Sequence, residues 1–176
     1  IMGDIEYTGE VKWGVTTSQA YLPKDNSRDF AGGETILDWL RQFASKEEDD
    51  NTFLRGFLGR MLFSGEEVNK SVNVLSGGEK VRVMLSKLML LKSNVLVLDD
   101  PTNHLDLESI SSLNEGLTNY KGSLLFASHD HEFIQTIANH IIVISKNGVI
   151  DRIGETYDEF LENDEVQAKV KALWAD

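Results

Sequence analysis

An amphipathic helix opens at the stretch Leu75-Ser76-Gly77-Gly78-Glu79-Lys80, where a serine and two glycines stand directly before the apolar face. The two glycines leave the backbone free to approach a ligand closely. The helix behind them supplies unpaired N–H groups and the positive end of its dipole. This stretch therefore predicts an anion-binding turn.

Two aspartates, Asp99 and Asp100, follow the apolar run at residues 95–98 and precede a proline. Four consecutive apolar residues favour a parallel strand buried on both faces, and open α/β sheets bind their ligands at the carboxyl ends of such strands. One aspartate there can hold Mg²⁺ through water, while the other orients or deprotonates a water beside a terminal phosphate. Taken alone, the pair would more simply cap the next turn.

His129 follows a second apolar run, at residues 124–127. Its imidazole would reach the same edge of the sheet as Asp99 and can donate to a phosphate oxygen. An isolated loop histidine is more often only a surface residue. His104, His131 and His140 have weaker claims, and Asp130 with His131 lacks convincing metal-ligand spacing.

The remaining pattern alternates between strands and helices, which predicts a parallel α/β sheet. Apolar spacing predicts helices at residues 34–43, 53–63, 107–117 and 131–138, in addition to the helix behind the Ser-Gly-Gly turn. It predicts strands at residues 95–98, 124–127, 141–144 and 149–153, a hairpin at 6–17, a loop at 21–26, and a turn at Asn147-Gly148.

The composition of the chain argues against several classes of protein. The 176 residues can bury a sizeable core, and the absence of cysteine fits a reducing cytosol. No apolar run approaches the roughly 20 residues of a membrane span, and nothing resembles a signal peptide. The net charge of −12 argues against a general polyanion binder.

Four motifs in this order resemble those of ABC ATPases: the signature at 75–80, the Walker B strand with Asp99 and Asp100, the D-loop at 103–106, and the switch histidine at 129. The Asn-His-Leu-Asp form of the D-loop is similar to that of the ABC-F group. The signature and residues 157–161 resemble the second ATPase domain of YbiT-type proteins. The resemblance implies an α/β P-loop NTPase fold of the ABC ATPase type, with a parallel sheet core and an inserted helical subdomain, truncated at its N-terminus.

This resemblance also implies a division of the chain and a role for each motif residue. Residues 1–24 would be residual β elements and a loop of the core, 25–93 the helical subdomain, 94–154 the α/β core, and 155–176 an acidic helical tail. Asp99 would help to hold Mg²⁺, Asp100 would be the catalytic carboxylate, and His129 would sense the γ-phosphate of ATP. A second nucleotide, bound by the opposite ATPase domain, would be contacted by Ser76, Gly77, Gly78 and Glu79, with Asp106 at the interface between the domains.

Three departures from the family pattern limit these expectations. No G-x-x-x-x-G-K-[ST] phosphate loop occurs in the sequence, so we expect the chain alone to bind ATP poorly and the loop to lie upstream in a parent protein. Asp100 stands where the family usually has glutamate, one methylene longer, which predicts slow hydrolysis. Lys24 stands where a glutamine should meet the metal and the water, and a lysine cannot accept a hydrogen bond.

The function implied is that of an ATP-binding and ATP-hydrolysing domain, with Mg²⁺, in a cytoplasmic ABC-F protein. Its partners would be the second ATPase domain of the same protein and, by the resemblance, the ribosome and tRNA. One alternative is the ATPase subunit of an ABC membrane transporter. Another is an interaction domain that hydrolyses ATP poorly. The departures from the family pattern at Asp100 and Lys24 are the reason to consider it.

Overall fold

The structure is a computed structural model that describes residues 6–174, so expectations for residues 1–5 and 175–176 lie outside the described residues. The chain divides into two compact units. The first ends at Ser128 and the second begins at His129. Each unit is described by itself.

A parallel sheet of three strands forms the centre of the first unit, in the order β1 (Gln19–Leu22), β2 (Val95–Asp99), β3 (Ser123–Ala127). The middle strand, β2, pairs on both sides, with Leu98 opposite Leu22 and Asp99 opposite Ala127. The predicted parallel sheet is confirmed. The helices of this unit are α1 (Ile36–Arg41), α2 (Asn51–Arg60), α3 (Gly77–Leu90) and α4 (Leu107–Thr118), with 3₁₀ turns at Ser27–Phe30, Gly65–Asn69 and Val72–Val74.

Helices α1, α2 and α3 bury apolar side chains against one another, which confirms the helical pattern in this part of the sequence. Thr35 and Asp50 cap α1 and α2, each by accepting a hydrogen bond from a first-turn N–H group. Trp39 of α1 is 3% exposed, and its indole nitrogen donates to the carbonyl oxygen of Asp29 at 2.8 Å. The buried set includes Ile36, Leu40, Leu54, Leu58, Val83, Met84 and Leu88.

Two predictions for the first residues of the chain are wrong. The hairpin expected at residues 6–17 is absent, because the described part of this stretch contains no strand and Val15 is fully exposed. Thr17 instead closes a turn by donating to the carbonyl oxygen of Gly14 at 3.0 Å through its backbone N–H. The loop expected to start at residue 21 starts only at Pro23, since Tyr21 and Leu22 belong to β1.

The second unit contains α5 (His131–Ile137), β4 (His140–Ser145), β5 (Gly148–Ile153), α6 (Tyr157–Glu162) and α7 (Asp164–Trp174). Strands β4 and β5 pair antiparallel, and Gly148 takes a φ of +148°, so the predicted hairpin is confirmed. The tail is helical as expected over its described residues, with Phe160 and Val166 buried. Across residues 6–174, every helix falls short of the length and apolar character needed to cross a membrane.

Candidate functional site

The two aspartates lie at the carboxyl end of β2, where the sequence pattern predicts them. Asp99 is the last residue of the strand. The N–H group of Asp100 donates to the carbonyl oxygen of Ala127 at 2.9 Å, and the Asp100 carbonyl accepts from the N–H group of Asn103 at 3.1 Å. Asp100 has a φ of +49°, a left-handed conformation that non-glycine residues adopt infrequently. These two hydrogen bonds fix its backbone at the edge of the sheet.

Lys24 forms an ion pair with Asp100, with 2.7 Å between Nζ and Oδ2. The Lys24 side chain is 59% exposed, whereas that of Asp100 is only 14% exposed. The hydrogen bond to Asp100 and the negative charge of that carboxylate raise the pKa of Lys24. The lysine is therefore protonated at neutral pH and neutralises the carboxylate at this edge.

The carboxylates fit Mg²⁺ only together with phosphate oxygens. Within residues 6–174, no cluster of three or more histidine or acidic side chains could hold a metal ion. Mg²⁺ commonly keeps several waters and binds one or two carboxylates plus the phosphates of a substrate. Asp99 could supply one such carboxylate, whereas Asp100 beside it is bound through Oδ2 to Lys24.

The Ser-Gly-Gly turn is held by a capping box at the start of α3. Ser76 Oγ accepts from the N–H group of Glu79 at 3.3 Å, and Glu79 Oε2 accepts from the N–H group of Ser76 at 2.8 Å. Burial by itself raises the pKa of Glu79, but the hydrogen bonds from Ser76 and Lys70 outweigh it and leave that pKa below its usual value. Both side chains thus shape the turn, and the N–H groups of Gly77 and Gly78 have no acceptor within α3.

The D-loop packs directly against the two glycines. His104 has a φ of +65°, and its carbonyl oxygen lies 2.6 Å from the place that a Cβ atom of Gly78 would occupy. A Cβ atom at Gly77 would lie 3.5 Å from the Cβ atom of His104, which is an ordinary contact. Gly78 is therefore required by the packing of the chain on itself, in addition to the ligand approach that the sequence suggests.

Asp106 is the N-cap of α4, where its Oδ1 atom accepts from the N–H group of Ser109 at 2.8 Å. The hydrogen bonds from Ser109 lower the pKa of Asp106. The residue therefore starts a helix whatever else it contacts.

His129 is exposed and is the first residue of the second unit. It stands directly before Asp130, which caps α5 by accepting from the N–H group of Phe133 at 2.8 Å. His131, which has a weaker claim on sequence grounds, pairs with Asp158 in the same unit, with 3.0 Å between Nε2 and Oδ1.

Two contacts at the edge of the sheet are not predicted from the sequence. One is the ion pair of Lys24 with Asp100, and the other is a 3.5 Å contact between the hydroxyl groups of Thr102 and Ser128. The register of β1 with β2 could have indicated the ion pair, because Lys24 stands two residues after Leu22 and Asp100 stands two residues after its partner Leu98. Because the sequence pattern predicts a loop where β1 ends, it does not reveal this alignment.

Sequence comparison finds that the family model described as ABC transporter matches residues 8–103. The chain is 61% identical over 178 aligned residues to YkpA of Bacillus subtilis, described as an uncharacterized ABC transporter ATP-binding protein, covering all of this chain and 33% of that protein. It is 42% identical to YbiT of Escherichia coli O157:H7, a probable ATP-binding protein, with 93% of this chain and 31% of YbiT covered. It is 41% identical to ABC transporter F family member 2 of Arabidopsis thaliana over 68% of this chain and 17% of that protein.

Solved structures with a similar fold include an ABC transporter of the metal-chelate type in an inward-facing conformation, with a TM-score of 0.68 and 17% identity over 92% of this chain and 66% of that one. They also include the complex of archaeal ribosomal stalk protein aP1 and archaeal ribosome recycling factor aABCE1, with a TM-score of 0.62 and 21% identity over 77% of this chain and 26% of that one. The chain spans about a third of the length of the first two curated relatives it matches.

Proposed function

The chain belongs to the ABC transporter family of ATP-binding domains, and from that premise we propose that it supplies parts of two ATP sites in an ABC-F protein. Its fold is the P-loop NTPase fold of the ABC ATPase type, as the motifs imply. ABC ATPase domains bind ATP. The activity proposed belongs to the full-length protein, because no phosphate loop of the G-x-x-x-x-G-K-[ST] form occurs in this sequence.

The observation that carries this proposal is the pair of carboxylates at the carboxyl end of the central strand. Mg²⁺ bound with ATP neutralises charge that develops on the phosphates during transfer. Asp99 would hold that ion, and Asp100 would orient the attacking water and accept its proton. For His129, the proposed contact with a γ-phosphate rests on the family resemblance alone.

The Ser-Gly-Gly turn is proposed to serve a second nucleotide, which the opposite ATPase domain binds. Its support is the start of α3, where the N–H groups of Gly77 and Gly78 have no acceptor within the helix. Ser76 and Glu79 would hold the turn in shape through the capping box while Ser76 also faces the phosphate. Asp106, which caps α4, is proposed to lie where the two ATPase domains meet.

The ABC-F assignment draws on the relatives. YbiT and ABC transporter F family member 2 are each more than 40% identical to the aligned part of this chain. We propose that ATP binding and hydrolysis switch the conformation of a factor that acts on the ribosome and contacts tRNA in the cytoplasm. An archaeal ribosome recycling factor has a similar fold, which links that fold to ribosomes in one other protein.

Ribosome binding that depends on nucleotide tests the cellular role. We expect the full-length protein to pellet with ribosomes in Mg-ATP and to pellet several-fold less in Mg-ADP or without nucleotide. The proposed reason is that ATP, sandwiched between two ATPase domains, would hold them together and ADP would not, so that only one state would present the ribosome-binding shape. The measurement is co-sedimentation through a sucrose cushion, with a matched sample that lacks ribosomes. Equal pelleting in all three nucleotide states would contradict the proposed switch, and pelleting with membrane vesicles instead would favour a transporter subunit.

A further inference from the structure

We infer that Lys24 is a positioning residue for ATP hydrolysis: its ammonium group holds Asp100 through Oδ2 and leaves Oδ1 to accept a hydrogen bond from the attacking water. The inference rests on the proposed function, in which Asp100 acts on that water. In the reaction, the water oxygen bonds to the γ-phosphorus while the bond to the β-phosphate oxygen breaks. The proton of the water passes to Asp100, and ADP and phosphate leave.

The Asp100 carboxylate has one hydrogen-bond partner in the part of the chain that the structure describes, and that partner is Lys24. The backbone of Asp100 is already fixed by its bonds to Ala127 and Asn103. The remaining freedom is the rotation of a short side chain that is 14% exposed. A 2.7 Å contact at Oδ2 removes that freedom, so Lys24 determines where Oδ1 lies.

The sheet itself brings the two charges together. Parallel pairing sets Leu22 opposite Leu98, and the same offset of 76 residues separates Lys24 from Asp100. Pro23 stands between β1 and Lys24, and its ring fixes φ at that position. The ion pair therefore continues the register of β1 and β2 beyond the ends of both strands, unlike a chance meeting of two surface side chains.

A lysine in this place favours orientation of the Asp100 carboxylate. Phosphoryl transfer requires little covalent chemistry from the protein and depends mainly on positioning and electrostatic stabilisation. A lysine can only donate, so it holds Asp100 through Oδ2 and leaves Oδ1 free for the water.

The chain contains a matched ion pair that serves as a control. Lys92 contacts Glu48, and the two side chains are 68% and 15% exposed, close to the 59% and 14% of Lys24 and Asp100. Neither Lys92 nor Glu48 lies at the carboxyl end of β2. Substituting Lys92 therefore removes an ion pair of similar exposure without touching the proposed site.

The test compares Lys24→Gln, Lys24→Arg, Lys92→Gln, Asp100→Asn and the double variant Lys24→Gln with Asp100→Asn, all in the full-length protein. We expect Lys24→Gln to lower kcat by roughly 10- to 100-fold, since a misplacement of about 1 Å can cost on the order of 10²-fold. KM and the equilibrium binding of a non-hydrolysable ATP analogue should stay within about twofold, because the lysine acts through Asp100 and not on the nucleotide. Lys24→Arg should restore most of kcat, and Lys92→Gln should leave it unchanged.

Adding Lys24→Gln to Asp100→Asn should cause no further loss of kcat, since two residues that act as one unit are not additive. A further loss in the double variant, or analogue binding weakened more than about tenfold by Lys24→Gln, would place Lys24 on the nucleotide and overturn the inference. Unchanged kcat in Lys24→Gln, with Asp100→Asn inactive, would overturn the inference and leave the proposed function standing. Unchanged kcat in Asp100→Asn would overturn both. Melting temperatures identify any variant that fails to fold. If Lys24→Gln fails to fold, the kcat of Lys24→Arg is compared with that of Lys92→Arg, and a kcat of Lys24→Arg far below that of Lys92→Arg would overturn the inference.

Discussion

Asp100→Asn in the full-length protein is expected to lower kcat for ATP hydrolysis by about 10²- to 10⁴-fold, the range that a positioned general base contributes. The substitution keeps the shape of the side chain but removes its charge and its ability to take a proton. The backbone at this position is held by hydrogen bonds from β3 and the following turn, so the fold should not change. Phosphate release at saturating Mg-ATP measures the effect.

Binding separates a loss of chemistry from a loss of the site in this variant. Affinity for a non-hydrolysable ATP analogue should change by no more than a few-fold, because Asp99 remains in place to hold Mg²⁺. Glu48→Gln is the control, since Glu48 is also a poorly exposed carboxylate paired with a lysine. A kcat for Asp100→Asn within about twofold of the unsubstituted protein would remove Asp100 from the chemistry and favour an interaction domain.

Gly78→Ala is expected to lower the free energy of unfolding of the chain by about 1–3 kcal/mol, as overpacking of a closely packed site does. The added methyl group would lie 2.6 Å from the carbonyl oxygen of His104, which is backbone and cannot rotate away. The following residue, Leu105, is tied to the carbonyl oxygen of Thr102 by a 3.2 Å hydrogen bond, so the D-loop resists the shift. Chemical denaturation followed by circular dichroism measures the change.

Gly77→Ala is the matched control for Gly78→Ala. The neighbouring glycine has an ordinary contact of 3.5 Å with the Cβ atom of His104, and alanine is a better helix former than glycine. Its stability should therefore be unchanged or slightly higher. Equal losses for the two variants would mean that glycine is needed at this turn for backbone conformation and not because the D-loop packs against it.

Much of the fold can be predicted from the sequence because its signals are local. The apolar run of β2 and the stripe of α3 depend on residues close together in the chain, and the pattern locates both elements within a residue or two. The sequence does not predict strand β1. Its four residues, Gln19–Leu22, are held in place by pairing with β2, which lies far along the chain. The alternation at Val11, Trp13 and Val15 favours a strand, but the described residues offer it no partner.

The candidate site can be located from its motifs, whereas the contacts of its residues cannot. The motifs select Ser76, Glu79 and Asp106 as ligand or interface residues, and the structure also gives each a capping hydrogen bond. Lys24 stands out as a departure from the family pattern, and only the register of β1 with β2 shows that it meets Asp100. Such contacts depend on tertiary pairing, which spacing along one segment does not encode.

A structure of the full-length Asp100→Asn protein with Mg-ATP would test whether this chain contributes to two separate ATP sites. We expect one ATP whose Mg²⁺ is held with the help of Asp99, and a second ATP whose γ-phosphate meets Ser76 and Gly77 while its phosphate loop comes from the other ATPase domain. A single nucleotide contacted by both Asp99 and the Ser-Gly-Gly turn of the same chain would contradict the proposal of two sites. ATP bound to neither Asp99 nor the turn would contradict it as well.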